Sequence, residues 1–384
     1  MLRCFIPFPT VDMTPNWPAI RSRYPALAHW TYFNSATFGL LSQNTAAAVT
    51  AHFQHRDDLA CADFLNWFDD IDGTRAKAAQ LIHASPEDIA FSINAATPLS
   101  LLLGGTHWKP GDRIVTLTNE FPNQLYYAAL LKEKGVDFVQ VEWPDFFDAI
   151  TPQTRAVLMS QVSYTTGFRP PLDQIGPFLK QREILFYVDA TQALGALTLN
   201  VNQVQPSMLA VHGYKWLLCP NGAAFFYVSP ELRQKLQPNI IGWRSHEDWR
   251  NVNRLHHGAP VFRESAEKYE GGMPAFPCLY AMDAALSEFL EIGPEKIERR
   301  VMELTAILQE RLHEIGRVTV LHKHSPITAA HFPHLDPAIL VQRLKAERIL
   351  ASARHGCLRL SVHFYNDEAD IDKLINVLQT ACKG

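Results

Sequence analysis

Two residues set the chemistry to be tested, an acid and an amine. Asp189 ends the apolar run ILFYV (184–188), and Lys215 sits in the short polar stretch HGYKW (212–216), which precedes a further apolar run, AAFFYV (223–228). Short apolar runs bounded by turn residues read as buried strands. Ligands of open α/β sheets gather beyond the carboxyl ends of such strands. An acid and an amine at neighbouring strand ends could therefore grip a flat aromatic cofactor from two sides. A lysine for an aldehyde and an acid for a protonated ring nitrogen are what pyridoxal phosphate requires. Taken singly, Asp189 reads as well as a helix N-cap, and Lys215 as a solvated loop lysine.

The elements that must position this pair can be read along the chain. From about Tyr32, helical and strand-like segments alternate. Residues 43–83 read as helix, broken near 69–73. Strand candidates follow at 89–92, 113–118, 137–142, 155–162 and 184–189, with helical patterns at 98–104, 123–134 and 171–182. Strands separated by helical stretches predict βαβ units and a mostly parallel sheet buried on both faces. After about residue 265 the pattern changes. Long helical stretches at 278–289 and 294–314 lead into strands near 318–322, 327–332 and 357–363, with helices near 336–347 and 367–381. The expected organisation is an N-terminal segment (1–30) packing with the small domain, a large cofactor-binding domain (31–265) and a small C-terminal α+β domain (266–384). A short amphipathic helix around 17–23 tolerates Pro18 in its first turn.

Composition excludes several classes. The 384 residues are 47% hydrophobic and 19% charged, with a formal net charge of −4. That is a soluble globular balance, with no basic block for nucleic acid or an anionic membrane. No apolar run approaches the length of a bilayer span. The N-terminus carries prolines and an acid where a signal peptide needs a long apolar core. The six cysteines (4, 61, 219, 278, 357, 382) show no CxxC pair and no metal-ligand spacing. The expectation is free thiols in a reducing cytoplasm, with no metal.

The paired segments VDATQALG (188–195) and HGYKWL (212–217) resemble the class V aminotransferase family of pyridoxal-phosphate enzymes, which includes cysteine desulfurases, selenocysteine lyases and isopenicillin-N-epimerase-like proteins. The resemblance implies the fold type I architecture: a mostly parallel, seven-stranded-type sheet flanked by helices, plus a smaller α+β domain. It also implies roles. Lys215 would form the Schiff base and shuttle the substrate proton, Asp189 would pair with the pyridine nitrogen, and Gln192 would bond the cofactor's phenolic oxygen. Tyr164, in VSYTTG, falls where relatives carry an asparagine near that oxygen. The turn FSINAAT (91–97) resembles the phosphate-binding turn, with Ala95 and Ala96 supplying N–H groups and Thr97 a hydroxyl. His212 and Tyr214 would also reach the phosphate. EGGM (270–273) resembles a segment that contacts the phosphate from a partner subunit, here through the Gly272 backbone, so a homodimer with its active site at the interface is implied. Phe121, in NEFPN, would stack on the ring. LRLSVHFYN (358–366) places Arg359 as the clamp for a substrate carboxylate, a bidentate role that lysine cannot reproduce. YFNSATFG (32–39) resembles a segment lining the substrate pocket, with Asn34 and Ala36 as candidates.

Within such a family the desulfurases carry a loop cysteine as sulfur acceptor, some fifteen residues before the clamping arginine. Residues 340–350 (LVQRLKAERIL) contain none, and Cys357 falls within a predicted strand. The leading expectation is therefore a lyase acting at the β-carbon of cysteine or an S-substituted cysteine. Transamination, epimerisation and a catalytically silent scaffold stay open as alternatives.

Overall fold

Alternating apolar positions along five consecutive strand candidates build the two faces of one sheet. Residues 14–254 and 258–383 are described by a computed structural model; Cys4 lies outside them. The N-terminal part comprises α1 (Trp17–Arg21), β1 (Thr31–Tyr32), α2 (Gln43–Leu59) and α3 (Asn66–Ile82). The central sheet is formed by β2 (Ile89–Ser92), β3 (Arg113–Leu117), β4 (Asp137–Val141), β5 (Thr154–Ser160), β6 (Leu185–Asp189), β7 (Met208–His212) and β8 (Ala224–Val228). Helices α4 (Ala96–Gly105), α5 (Pro122–Leu130), α6 (Leu172–Lys180), α7 (Val201–Val204) and α8 (Pro230–Lys235) connect or follow them.

The strand order is β2-β8-β7-β6-β5-β3-β4, parallel from β7 to β4, with β8 antiparallel to both of its neighbours. Side chains alternate across it. Val157, Met159, Phe186, Val188, Leu209 and Val211 join one apolar cluster, while Ala156, Leu158, Tyr187, Met208 and Ala210 join another on the opposite face. A period of two with both faces buried is the pattern of a sheet covered by helices on each side.

The long N-terminal helical stretch does break, but elsewhere than at 69–73. Ala60 and Cys61 take left-handed φ values of 48° and 61°, and the chain resumes as α3 at Asn66. Gly73 lies inside α3, where a Cβ would meet nothing within 4 Å. An exposed mid-helix glycine costs only about 1 kcal/mol of propensity. The buried face of α3, including Trp67, Phe68, Ile71 and Ile82, offsets it.

The C-terminal part holds α9 (Phe276–Ile292), α10 (Pro294–Glu314), β9 (Thr319–Val320), β10 (Ile327–His331), α11 (Pro337–Ala346), β11 (Ile349–Leu350), β12 (Ser352–Arg354), β13 (Cys357–Ser361) and α12 (Glu368–Lys383). Four strands form an antiparallel sheet in the order β12-β13-β10-β9. Its core joins Leu304, Leu308 and Leu312 of α10 to Leu358, Leu360 and Leu374. By contrast, α9 and the start of α10, through Phe276, Leu279, Ile297 and Val301, are buried in the apolar cluster of the large sheet. The N-terminal segment is tied to the small sheet's side. Arg21 makes a fork of hydrogen bonds to Asp370 at 2.7 and 3.0 Å, β1 pairs in parallel with β11, and Phe33 enters the small core. Among the described residues no helix is long and apolar enough to cross a membrane.

Candidate active site

Because β6 and β7 are adjacent and parallel, their carboxyl ends deliver Asp189 and the Lys215 loop to one place. Asp189 is 7% exposed and accepts from the Thr191 N–H at 2.8 Å. Burial pushes its carboxyl up, opposed by the hydrogen bonds of Thr191 and the charge of Lys215. Lys215 is 8% exposed. Burial lowers its amine to about 8, against the attraction of Asp189, and the arginines 359 and 354 lower it further. Its Nζ lies 5.6 Å from the centroid of the Phe121 ring and 5.3 Å from that of Tyr214, and makes no hydrogen bond among the described residues.

Two glycines make this loop possible. Gly39 N–H donates to the Tyr214 carbonyl at 2.8 Å, and a Cβ there would lie 2.0 Å from the Lys215 carbonyl oxygen. Gly195, with φ +107°, would place a Cβ 2.2 Å from the Trp216 carbonyl oxygen. The glycine that ends VDATQALG is thus a packing requirement of the lysine loop.

One cleft is lined by Ala95, Phe121, Asn123, Ser160, Tyr164, Asp189, Thr191, Gln192, His212, Tyr214 and Lys215. Phe121, at the N-terminus of α5, is 40% exposed and stands edge-to-face with Tyr164, centroids 5.2 Å apart. The rings of His212 and Tyr214 lie 4.2 Å apart. Burial and the nearby Lys215 charge lower His212 to about 4, and its buried Nε2 has no partner among the described residues. A buried, neutral ring nitrogen at a cleft wall is a group that a bound ligand could pair.

Several of the candidate residues have bonding partners within the chain itself. Ala95 lines the cleft, but the N–H groups of Ala96 and Thr97 and the Thr97 hydroxyl all donate to Asn94 Oδ1, at 3.0, 3.1 and 3.3 Å. Asn94 therefore caps the turn that the sequence reading offered to an anion. The Gln192 amide works as a strut: its Nε2 donates to the Ala36 carbonyl at 3.0 Å and its Oε1 accepts from Trp216 Nε1 at 3.0 Å. Tyr164 uses its carbonyl to accept from Arg359, while its hydroxyl lies 3.4 Å from His355 Nε2. Gly272 is away from this chain's cleft, its carbonyl accepting from Arg244 at 3.3 Å.

Arg359, 2% exposed on β13, is held by three elements. Its Nε donates to Ser352 Oγ at 3.1 Å, and its terminal nitrogens donate to the Tyr164 carbonyl at 2.7 Å and Thr37 Oγ1 at 2.6 Å. Burial, with Arg354 adding repulsion, lowers it to about 10, so it stays cationic at neutral pH. Asn34 and Ala36 serve this arrangement from behind. Ala36 is buried, its N–H donating to Ser361 Oγ at 3.0 Å, and Asn34 forms a bridge with Ser361. Thr37, which touches the arginine, was within the quoted YFNSATFG segment but not singled out. Nor were Glu120, Asn123, Ser160 and Thr191. Only Glu120 carried a signal, as a charged residue between an apolar run and Phe121.

A family model described as aminotransferase class-V matches residues 65–374. An uncharacterized aminotransferase of Schizosaccharomyces pombe is 27% identical over 327 residues, spanning 82% of each chain. The isopenicillin N epimerase of Amycolatopsis lactamdurans is 26% identical over 344 residues, covering 80% of this chain and 84% of its own. Among solved structures, the complex between the cystine C–S lyase C-DES and its reaction product cysteine persulfide has a TM-score of 0.84 at 23% identity, covering 93% of this chain and 99% of that one. The cysteine desulfurase CsdA of Escherichia coli has a TM-score of 0.85 at 21% identity, covering 97% and 99%. Likeness at these identities establishes the fold, that of the fold type I pyridoxal-phosphate enzymes.

Proposed function

We propose that this chain, which belongs to the aminotransferase class-V family and is thus a pyridoxal-phosphate enzyme, cleaves the C–S bond of cystine or an S-substituted cysteine by β-elimination, without forming a persulfide on a cysteine of its own. The observation that carries the second half is the path of the chain before Arg359. Helix α11, the short strands β11 and β12 and the turn at His355–Gly356 fill it. Cys357 is the cysteine within that path, and it is 5% exposed with its thiol pushed up by burial. A buried, protonated thiol on a paired strand is a poor sulfur acceptor. The fold shared with a cystine C–S lyase is compatible with this reading.

The residues fit the cofactor. A buried lysine amine without a hydrogen bond, a buried carboxylate across the cleft and the unpartnered His212 Nε2 are all otherwise costly features. The bound cofactor supplies an electrophilic aldehyde carbon and an electron-withdrawing ring. Asp189 would hold the proton of the ring nitrogen. His212 Nε2, with the Ala95 backbone, would hold the phosphate, and Phe121 would cover one face of the ring. Gln192 and Tyr164 border the same cleft. Arg359 would orient the substrate carboxylate. Lys215, lowered to about 8, can take the proton from the substrate α-carbon near neutral pH and return it to solvent or product. Loss of the β-sulfur substituent then yields a thiol or persulfide product, with pyruvate and ammonia after hydrolysis.

A homodimer belongs to the same reading. Ile241 and Met273 are exposed by 57% and 61% on loops joined by the Arg244 N–H to Gly271 carbonyl bond of 3.0 Å, next to Gly272. A second copy covering these residues would bring Gly272 towards its neighbour's phosphate site. Light scattering on the purified protein tests this; a monomer at micromolar concentration would count against it. A reducing, cytoplasmic setting suits the thiols of Cys61, Cys219, Cys278, Cys357 and Cys382, none of them in a disulfide.

Incubation of the purified holoenzyme with cystine and S-substituted cysteines, with pyruvate and thiol release measured, tests the reaction. Amino transfer to a keto acid, or inversion of the α-carbon, with no pyruvate from any of these substrates, would replace the lyase reading with the aminotransferase or epimerase one. A protein that takes up no pyridoxal phosphate would be a scaffold.

A further inference from the structure

Glu120 is a buried carboxyl to which the catalytic reading gives no task. It lies between β3 and α5, directly before Phe121, and is 7% exposed. Its Oε1 accepts from the Ser160 N–H at 2.7 Å. Its Oε2 accepts from Ser160 Oγ at 2.5 Å and from Gln124 Nε2 at 2.8 Å. Gln124 Nε2 also reaches Ser160 Oγ, at 2.7 Å. Ser160 ends β5 opposite Asp189 in the β5–β6 register, and it lines the same cleft as Asp189 and Lys215. Ser160 also lines a second cavity, of about 310 Å³, and there it is joined by Glu120, Trp143, Phe168 and His322. Ser160 is thus common to both cavities, and Glu120 meets it from the second.

A serine hydroxyl has one hydrogen to give. When Glu120 is ionised, that hydrogen is committed to Oε2. When Glu120 is protonated, the 2.5 Å contact holds with the direction reversed: Oε2–H donates to Ser160 Oγ, as Gln124 already does. The Ser160 hydrogen is then free to turn into the cleft. We propose that Glu120 is a positioning residue whose protonation reverses the Ser160 hydroxyl, switching it between the buried carboxyl and the ring held by Asp189 and Lys215. The proton is exchanged with water through the second cavity, and no bond other than O–H is made or broken. The inference rests on the pyridoxal-phosphate reading of the cleft.

The switch falls in an accessible range. Burial pushes Glu120 up to about 7; the hydrogen bonds of Ser160 oppose this, and the Asp189 charge adds to it. The groups facing Glu120 are few. Asp189 and Tyr187 come from β6, the Tyr187 phenol donating to the Ala95 carbonyl at 3.1 Å. Glu142 and His322 line the second cavity with it, and the charge of Lys215 acts on Asp189.

The test is a pH titration of the visible absorbance of the holoenzyme. A one-proton step near pH 7 is expected in the natural protein. It should vanish in Glu120→Gln, whose amide donates to Ser160 Oγ as the protonated acid does. It should also vanish in Ser160→Ala, which keeps the carboxyl and removes the hydroxyl, so the result does not depend on one variant folding. A step that survives in both variants, or is absent from the natural protein, overturns the proposal while leaving the cofactor assignment standing. A natural protein with no visible band after reconstitution removes the cofactor assignment and this proposal with it.

Discussion

Asp189 and Lys215 reach the cleft from adjoining strands of the large sheet, whereas Arg359 arrives on a small sheet that shares no strand with it. The cofactor half comes from one βαβ unit: β6, the crossover that carries α7, and β7 with the loop that follows it. It gains its reactivity from desolvation, which raises the acid and lowers the amine. The substrate half is an assembly. Arg359 is fixed by Thr37 from the N-terminal segment, Tyr164 from the loop after β5 and Ser352 from the neighbouring strand. Geometry made within one sheet survives changes in its surroundings better than geometry that depends on separate sheets and loops docking. Defects in the two halves should therefore show in different measurements.

The largest effect is expected for Lys215→Ala, which should abolish the visible band of the bound cofactor and reduce turnover to background; a retained band and activity would break the cofactor half as drawn. Next is Arg359→Lys. It should keep the band but lower kcat/KM about a hundredfold, on the order of 3 kcal/mol at about 1.4 kcal/mol per tenfold, because one ammonium cannot replace a buried, forked donor. An unchanged kcat/KM would show that the substrate half lies elsewhere.

A comparable effect concerns stability in the cofactor-free protein. The folded pKa of Lys215 is depressed from 10.5 to about 8, so between those values the unfolded chain binds more protons. Stability should therefore rise with pH across that window, and Lys215→Met should flatten the rise, worth up to about 3 kcal/mol. Chemical denaturation at about pH 7.5 and about pH 11, on either side of this window, would read it. A smaller effect is expected for Thr37→Val, about tenfold in kcat/KM, from loss of one acceptor to a charged donor. Smallest of all is Cys357→Ser, which should leave pyruvate formation within about twofold; a large loss there would revive the persulfide route that cysteine chemistry otherwise disfavours.

How much of this was legible in the sequence follows the same division. Strands β3, β5 and β6 were readable because burial on both faces leaves near-continuous apolar runs. Asp189, Lys215 and Phe121 stand at the ends of such runs or just beyond, so their meeting could be anticipated. The pair β1–β11 could not: each strand is two residues long, too short for a period. The occupation of Gln192 by Ala36 and Trp216 depends on packing between distant segments, and so does the reach of Thr37 to Arg359. Asn94 was legible as a turn residue, yet its capture of the amides of Ala96 and Thr97 is a competition that only coordinates resolve. The helix break at Ala60–Cys61 misled for a related reason. Glycine marks weak points in a helix by propensity, while here tertiary burial kept Gly73 helical and let two ordinary residues take the left-handed turn.

The stretch from Thr31 to Gly39 has a consequence for biogenesis. It bonds to Arg348 and Leu350, receives the Ser361 N–H at Phe33, contacts Arg359 through Thr37 and meets the lysine loop at Gly39. Ala36 and Ser361, which bond each other, are 325 positions apart. During synthesis the stretch around Ala36 must therefore wait until Ser361 has been made, held meanwhile by a chaperone or by its own solubility. The cofactor-holding sheet can be complete while the ribosome is still at work, but the substrate clamp cannot. A nascent chain would pass through a stage able to hold the cofactor and unable to select an amino acid, and competence to select arrives only once β13 has been made.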